Sequence, residues 1–396
     1  MKRLHQLMQC RKARIFAQAP LGCKSNRAKT TIKVRLSFGK DRSTAKNLRY
    51  RANSLPLWSL SMEFIISFDM RAPSFGASKK ALYSAALEMS EWADSIGFNA
   101  IGLGEHHASP DGYLPSPIPM AAAMAAKTQQ ITLRSNVLLA PLYEPVKLAE
   151  DLAVTQLISN NRLQIVIGAG YRPYEFQMFG TRREDRKQGY LRAIEVLRQA
   201  WSGESFAFDG RQVTVTPVPD VPPPLFIGGS HPAVARRAAH IADGYFPPGG
   251  ENWHVYRAER LKLGKSDPGE HFHSLGPIYT HITRDPETVW KQLLPHISHT
   301  VNSYAEWTVE AYGKAAGPFA GNVDPADLRK SGAYQVLSPE EAVAMIDSLR
   351  DETTYILTPL LGGLDPNIAW QSLKLFEAEV WPHVKHRAAP LPIPGR

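Results

Sequence analysis

The sequence predicts an α/β protein: a (β/α)8 barrel with insertions on residues 62–396, behind a basic, disordered extension on residues 1–61. Three observations lead there. Short apolar strands alternate with amphipathic helices from Met62 onward, the pattern of a parallel sheet covered by helices. Charge is unevenly divided: residues 1–61 hold fifteen of the 46 Lys and Arg against one acid, Asp41, so the body is mildly acidic although the chain carries +9. Finally, the polar motifs EHH, GAGYRPYEF and GGSHP each follow a strand, where barrels build their active sites.

In order, EFIISF (Glu63 to Phe68) is the first strand, and Leu82, Ala86, Met89, Ala93 and Ile96 recur at helical spacing until Gly97 stops them. NAIGLG is the second strand, with the Ala-rich SPIPMAAAMAAKT as its helix. ITLRSNVLLA is the third, followed by a helix from Pro145 to Ile158. RLQIVIG is the fourth, followed by the helix around GYLRAIEVLRQAW. In SFAFDGRQVTVTPVP the central DG between alternating residues predicts a hairpin. PPLFIGG, DGYFP, GPIYTHIT and TYILTPLL are strands five to eight, each with a helical pattern after it, and AWQSLKLFEAEVWPHV closes the chain.

The chain is 43% hydrophobic and 21% charged, ordinary for a soluble globular protein. Residues 1–61 lack apolar periodicity and read as a disordered tail or as sequence upstream of a start at Met62. A transit peptide is the alternative; nucleic-acid binding lacks the aromatic interleaving it needs. Cys10 and Cys23, without neighbouring His ligands, make neither a zinc signature nor a disulfide framework. No apolar run approaches the ~18 residues of a membrane span, so the body is expected to be cytoplasmic.

The strand-end motifs each admit two readings. His106 and His107 are adjacent on extended backbone and point to opposite faces, so they do not share a metal ion; acid/base work or a structural role remain. IGAGY lacks the third glycine of a dinucleotide fingerprint, and Gly168 and Gly170 can equally serve a turn at a crowded rim. In GGSHP, Ser230 reads as a helix N-cap with Pro232 in the first turn. Two glycines ahead expose backbone N–H groups to a phosphate.

Taken together, GFNAIGLGEHH, ITLRSNVLLAPLYEPVKLAEDLAVTQLISNNRL, GAGYRPYEFQMFG and LFIGGSHPAVARRAAHIADGYF make the chain resemble the bacterial luciferase-like flavin monooxygenases from Met62 to about Lys385. The resemblance implies reduced FMN, supplied by a separate flavin reductase and held at the strand C-terminal mouth. There it reacts with O2 to a C4a-peroxyflavin that attacks a small or medium apolar organic substrate. A dry pocket and a positioned proton carrier serve that chemistry. By motif match His106 is the acid/base residue, with Glu105 and His107 orienting its loop. Asn136 and Val137 match a bulge or non-prolyl cis peptide beneath the flavin, and Ser135 lines the same pocket. Gly170 and Tyr171 run along the ribityl and phosphate side, and Gly229 and Ser230 form the phosphate turn. The resemblance also implies a homodimer, to which the Ala-rich helix would contribute, and a covering excursion at Thr308 to Val336.

The sequence departs from the family in places. Ala169 stands where the luciferases have a phosphate-gripping arginine, leaving backbone groups or Arg172 to compensate. Gln156 replaces an Asp, and ISNNR replaces LSGGR. These changes argue against light emission and leave two alternatives. One is an F420-dependent oxidoreductase that transfers hydride without O2, its acidic tail met by Arg172, Arg182, Arg183, Arg236 and Arg237. The other is a non-catalytic flavin-binding barrel.

Overall fold

The computed structural model describes residues 61–269, 274–315 and 324–390. The expected extension on residues 1–61 therefore lies outside the described residues, apart from Ser61.

The first unit runs from β1 (Glu63–Phe68) to α1 (Lys79–Ile96), which starts where the Ser78 side chain accepts from the Ala81 N–H and stops at Gly97, φ +95. Serine caps leave few orphan amides at the helix start, and glycine takes the left-handed exit without a Cβ clash. Three more units follow: β2 (Ala100–Leu103) and α2 (Pro117–Lys127), β3 (Thr132–Leu138) and α3 (Pro145–Ile158), and β4 (Leu163–Ile167) with the short α4 (Pro173–Met178) and α5 (Arg186–Ala200). The DG hairpin is present as antiparallel β5 (Phe206–Phe208) and β6 (Arg211–Val213), turning through Asp209 and Gly210 at φ +48 and +72. Two positive φ values are what a two-residue turn between twisted strands requires.

Next come β7 (Leu225–Gly228), α6 (Pro232–Ile241), β8 (Gly244–Phe246), α7 (Trp253–Lys262), β9 (Ser274–Leu275), β10 (Tyr279–Ile282) and the 27-residue α8 (Pro286–Tyr312). The chain continues through α9 (Pro325–Lys330), β11 (Tyr334–Leu337), α10 (Pro339–Ser348), β12 (Thr353–Leu357), α11 (Pro366–Leu375) and α12 (Trp381–Val384). Eight strands form one curled parallel sheet in the order β8-β7-β4-β3-β2-β1-β12-β9. The expected seventh strand corrects the sequence reading: Tyr279–Ile282 is not in that ladder but pairs in parallel with β11, Tyr279 against Tyr334 and Ile282 against Leu337. A run of four apolar and aromatic residues marks a strand but carries no partner information. The excursion expected from Thr308 to Val336 is likewise revised. Residues 308–312 are the last turn of α8, Tyr334 to Val336 belong to β11, and residues 316–323 lie outside the described residues.

Behind the sheet, Phe64, Phe98, Phe376 and Trp381 pack edge to face and tilted, at 5.0 Å for Phe64 and Trp381 and 5.9 Å for Phe98 and Phe376. Burying each such ring contributes roughly 2–3 kcal/mol. The α3–β4 corner is locked by the buried Arg162, which donates to the carbonyls of Ala125, Thr128, Ile131 and Ser159 and to the Thr128 hydroxyl. Because all these strands are parallel, the loops after β1, β2, β3, β4 and β7 leave from one end.

Candidate active site

At the end of β2, Glu105, His106 and His107 are all buried. Their side chains diverge as the sequence requires. His106 Nδ1 lies 2.8 Å from Glu175 Oε1, and His107 Nε2 lies 2.8 Å from Glu105 Oε1. Glu105 also accepts from the Leu139 N–H at 2.7 Å and the Tyr143 hydroxyl at 2.8 Å, tying the β2 loop to the end of β3. Glu105 and His107 thus orient the loop, and no group of three metal-ligating side chains occurs among the described residues.

Glu175 was not legible in the sequence. It sits in α4 with no exposed surface, and Oε1 accepts from the His107 N–H at 3.0 Å as well as meeting His106. Tyr113, Tyr171, Tyr304 and Trp307 surround the His106 ring at centroid distances of 5.0, 5.7, 5.9 and 4.4 Å. Burial lowers the His106 pKa and the Glu175 carboxylate pulls the other way, with burial prevailing. A neutral imidazole anchored through one nitrogen keeps the other for proton exchange.

The Asn136–Val137 peptide is cis, and the β3–β4 register shifts between Asn136 and Leu138. Val137 packs between two strand ends with no room to spare: a Cβ on Gly168 would lie 2.4 Å from its side chain, and one on Gly228 3.1 Å. Asn136 Oδ1 is buried without a hydrogen-bond partner. Ser135 precedes the cis peptide on β3. Its hydroxyl accepts from the Val166 N–H at 3.1 Å and so serves the strand ladder. Gly170 has φ +71, and Tyr171 stacks on Tyr312 of α8.

A cavity of about 490 Å3 opens between the ends of β4 and β7 and the helices α5 and α6, lined among others by Ala169, Lys187, Gly228, His231 and Arg237. Gly228 and His231 bracket Gly229 and Ser230. The N-cap of α6 is His231, whose Nδ1 accepts from the Ala233 N–H, and not the expected Ser230. Ser230 is exposed, and its carbonyl accepts from Asn252. Lys187, Arg186 and Arg237 with a helix N-terminus make this end suited to a phosphate group. Arg172 does not substitute for the missing arginine. It is buried, donates to the His107 carbonyl at 2.9 Å, pairs with Glu310 at 3.3 Å and stacks over Trp307 at 4.5 Å. The orphaned amide oxygen of Asn136, the glycines facing Val137 and a cationic end fit a flavin-sized phosphate ester.

The sequence profile described as luciferase-like monooxygenase matches residues 62–356, and the chain belongs to that family. Among curated relatives, it is 30% identical over 179 residues to the oxygenase component of a flavin-dependent trigonelline monooxygenase of Acinetobacter baylyi, covering 43% of this chain and 50% of the relative. It is 29% identical over 178 residues to an F420-dependent glucose-6-phosphate dehydrogenase of Beutenbergia cavernae, covering 41% and 52%. The chain thus spans about half the length of the curated relatives it matches. Among solved structures, the oxygenating constituent of 3,6-diketocamphane monooxygenase from Pseudomonas putida, in complex with FMN, superimposes with TM-score 0.62 at 18% identity. That match covers 82% of this chain and 99% of the other. The family comprises oxidoreductases that use a flavin or F420, and no described helix is long and apolar enough to cross a membrane.

Proposed function

We propose that the chain is the oxygenase component of a two-component monooxygenase that takes reduced FMN from a separate reductase and uses O2 on a small or medium apolar organic substrate. The observation that carries this reading is the enclosed His106, anchored by the buried Glu175 and ringed by four aromatic side chains. Bound reduced flavin would supply the electrons and the oxygen-reactive carbon. The chain's part is to exclude water, hold the ring against Val137 and exchange a proton at His106. Asn136, Val137, Gly170 and Tyr171 would line the ring and ribityl chain; Lys187, Arg237 and the turn at Gly229 and Ser230 would hold the phosphate.

F420 is the second reading, and the placement of the arginines favours FMN over it. Arg172 is committed to Glu310, Arg183 to the Ala311 carbonyl, and Arg182 lies beside Glu184 and Asp185, leaving Arg237 as the one of the five that lines the cavity. A long acidic tail needs a longer basic groove. For a homodimer, Ala121 and Ala125 are already buried within one chain, whereas Val154, Leu157 and Ile158 of α3 are exposed and would supply the apolar contact.

Anaerobic titration of the full chain with reduced FMN and with reduced F420, followed by O2, tests the proposal. Tight binding of FMN and an oxygen-dependent absorbance transient are expected. Binding of F420 alone, with no response to O2, would overturn it.

A further inference from the structure

We propose that Arg172 is a positioning residue that couples the seating of α8 to the protonation of His106: its one guanidinium is shared between Glu310 of α8 and Glu175, the partner of His106. This rests on the reading of His106 as the proton carrier and names what controls its protonation.

Arg172 is buried where three segments meet. Its Nη1 donates to the His107 carbonyl of the β2 loop at 2.9 Å and lies 3.6 Å from Glu175 Oε1 of α4. Its Nε donates to Glu310 Oε2 of α8 at 3.3 Å. The guanidinium carbon stands 4.5 Å from the centroid of the Trp307 ring, which in turn is 4.4 Å from that of His106. A buried guanidinium persists only where charge and hydrogen bonds both answer it, and these contacts supply both.

The same stretch of chain holds the end of α8. The Tyr174 N–H donates to Glu310 Oε1 at 3.3 Å, Arg183 Nη1 donates to the Ala311 carbonyl at 2.8 Å, and Tyr171 stacks on Tyr312 at 6.1 Å. Val309 and Tyr312, by contrast, are exposed. Polar anchors therefore seat this end of the helix, and with it the Trp307 ring that packs against His106.

Burial disfavours the His106 imidazolium, the Glu175 carboxylate favours it, and the Arg172 and Arg71 cations oppose it. The other groups around the ring are neutral: burial pushes the phenols of Tyr113, Tyr171 and Tyr304 up, and Trp307 carries no charge. Glu105 is bound to His107. Arg71 pairs with Asp69 and Asp111, neither of them on α8, whereas Arg172 pairs with a carboxylate of that helix. With Glu310 in place, part of the Arg172 charge is offset. Without it, the whole cation faces Glu175 and His106 and disfavours the imidazolium further. Removing the cation has the opposite sign. By linkage, protonation of His106 biases how firmly Glu310 is held.

Imidazole 15N titration of the full chain, with the His106 signal assigned by its loss in His106→Ala, tests this in wild type, Arg172→Met, Arg172→Lys and Glu310→Gln. Arg172→Met is expected to move the His106 midpoint to higher pH and Glu310→Gln to lower pH. Arg172→Lys keeps the charge and should leave the midpoint close to that of wild type. Hydrogen exchange of the amides from Trp307 to Tyr312 should quicken about tenfold in Arg172→Met, the worth of one charge-assisted hydrogen bond. It should quicken less in Arg172→Lys and Glu310→Gln, which each keep a donor and an acceptor at this contact. A purely structural role would quicken exchange without moving the two midpoints in opposite directions. The Glu310 side chain is 34% exposed, so Glu310→Gln carries the test if Arg172→Met does not fold. A midpoint that is unmoved or raised in Glu310→Gln, one that is unmoved or lowered in Arg172→Met, or unchanged exchange in Arg172→Met would overturn the proposal. Reduced FMN and O2 added to the same samples separate the two levels. FMN binding and an oxygen-dependent transient with unmoved midpoints remove only the coupling. Opposite midpoint shifts in a chain that does not bind FMN remove the oxygenase reading.

Discussion

Glu175 Oε1 and His106 Nδ1 lie 2.8 Å apart, with Glu175 wholly buried and His106 nearly so. The carboxylate fixes the proton on Nδ1 and leaves Nε2 to face a ligand, and it favours the imidazolium against the burial that disfavours it. Removing the carboxylate should therefore lower the His106 pKa further and loosen the tautomer. His106→Ala is expected to lower turnover about 10²–10⁴-fold, the usual share of a proton carrier. Glu175→Gln is expected to cost about 10–100-fold, as for other buried partners that orient a functional imidazole. Its pH–rate profile should move to lower pH, which a purely structural role would not produce. Turnover with reduced FMN and the imidazole 15N shifts check both.

Gly168 and Val137 form a second tight pair. A Cβ at Gly168 would sit 2.4 Å from Val137 Cγ2, and Val137 is the residue proposed above to lie beneath the flavin ring. Gly168→Ala should cost roughly 1–3 kcal/mol of stability by overpacking and displace Val137, so FMN affinity should fall with it. Gly168→Ala combined with Val137→Ala opens the space again and should recover most of the thermal stability. If the double variant melts no higher than the single one, backbone effects at Gly168 and not the Val137 contact are responsible.

Periodicity located the strands and helices because each buries one face, and the alternation of β1 to β4 with their helices is visible in the residues themselves. Pairing partners were less visible. Nothing in YTHI distinguishes a strand of the main ladder from one that pairs with YQVL, since both are short and buried. His106, Asn136 and Val137 could be singled out because their segments resemble those of the luciferase-like family. Glu175 and Arg71 could not, because an isolated acid in a six-residue helix and an arginine after a strand read as surface residues. Their burial is a tertiary fact. The substitution of ISNNR for LSGGR has a local explanation: Asn160 and Asn161 take φ +52 and +65, the left-handed conformation that asparagine tolerates best after glycine.

The cationic end of the 490 Å3 cavity lets the proposed phosphate contacts be tested apart from those to the ring. Arg237 donates to the Tyr190 hydroxyl and lines the cavity with Lys187. If the phosphate binds there, Arg237→Ala and Lys187→Ala should each weaken FMN roughly tenfold, a charge-assisted hydrogen bond apiece. Riboflavin affinity should stay the same, because it has no phosphate to lose. Parallel titrations of both flavins, repeated at two salt concentrations, measure this. Equal losses for FMN and riboflavin would place the effect on folding or on the ring.

His281 gives the fold an acid limit that is independent of that ligand chemistry. It lies on β10 with 4% exposure, its Nδ1 3.3 Å from the Tyr279 hydroxyl, and burial lowers its pKa to about 4. The unfolded chain takes up the proton near pH 6.5, whereas the folded chain resists it until about pH 4. Protons therefore bind the unfolded state preferentially inside that window, and stability that is complete above pH 6.5 falls as the pH drops to 4, by about 3 kcal/mol. Below that the folded state is protonated too and this contribution levels off. His281→Asn has no proton to gain, so its melting temperature should fall less over the same interval, with the remaining slope assigned to His106, whose pKa burial also lowers. Thermal melts of both proteins from pH 7 to pH 4 decide the matter: parallel curves would mean that His281 titrates as freely in the folded chain as in the unfolded one.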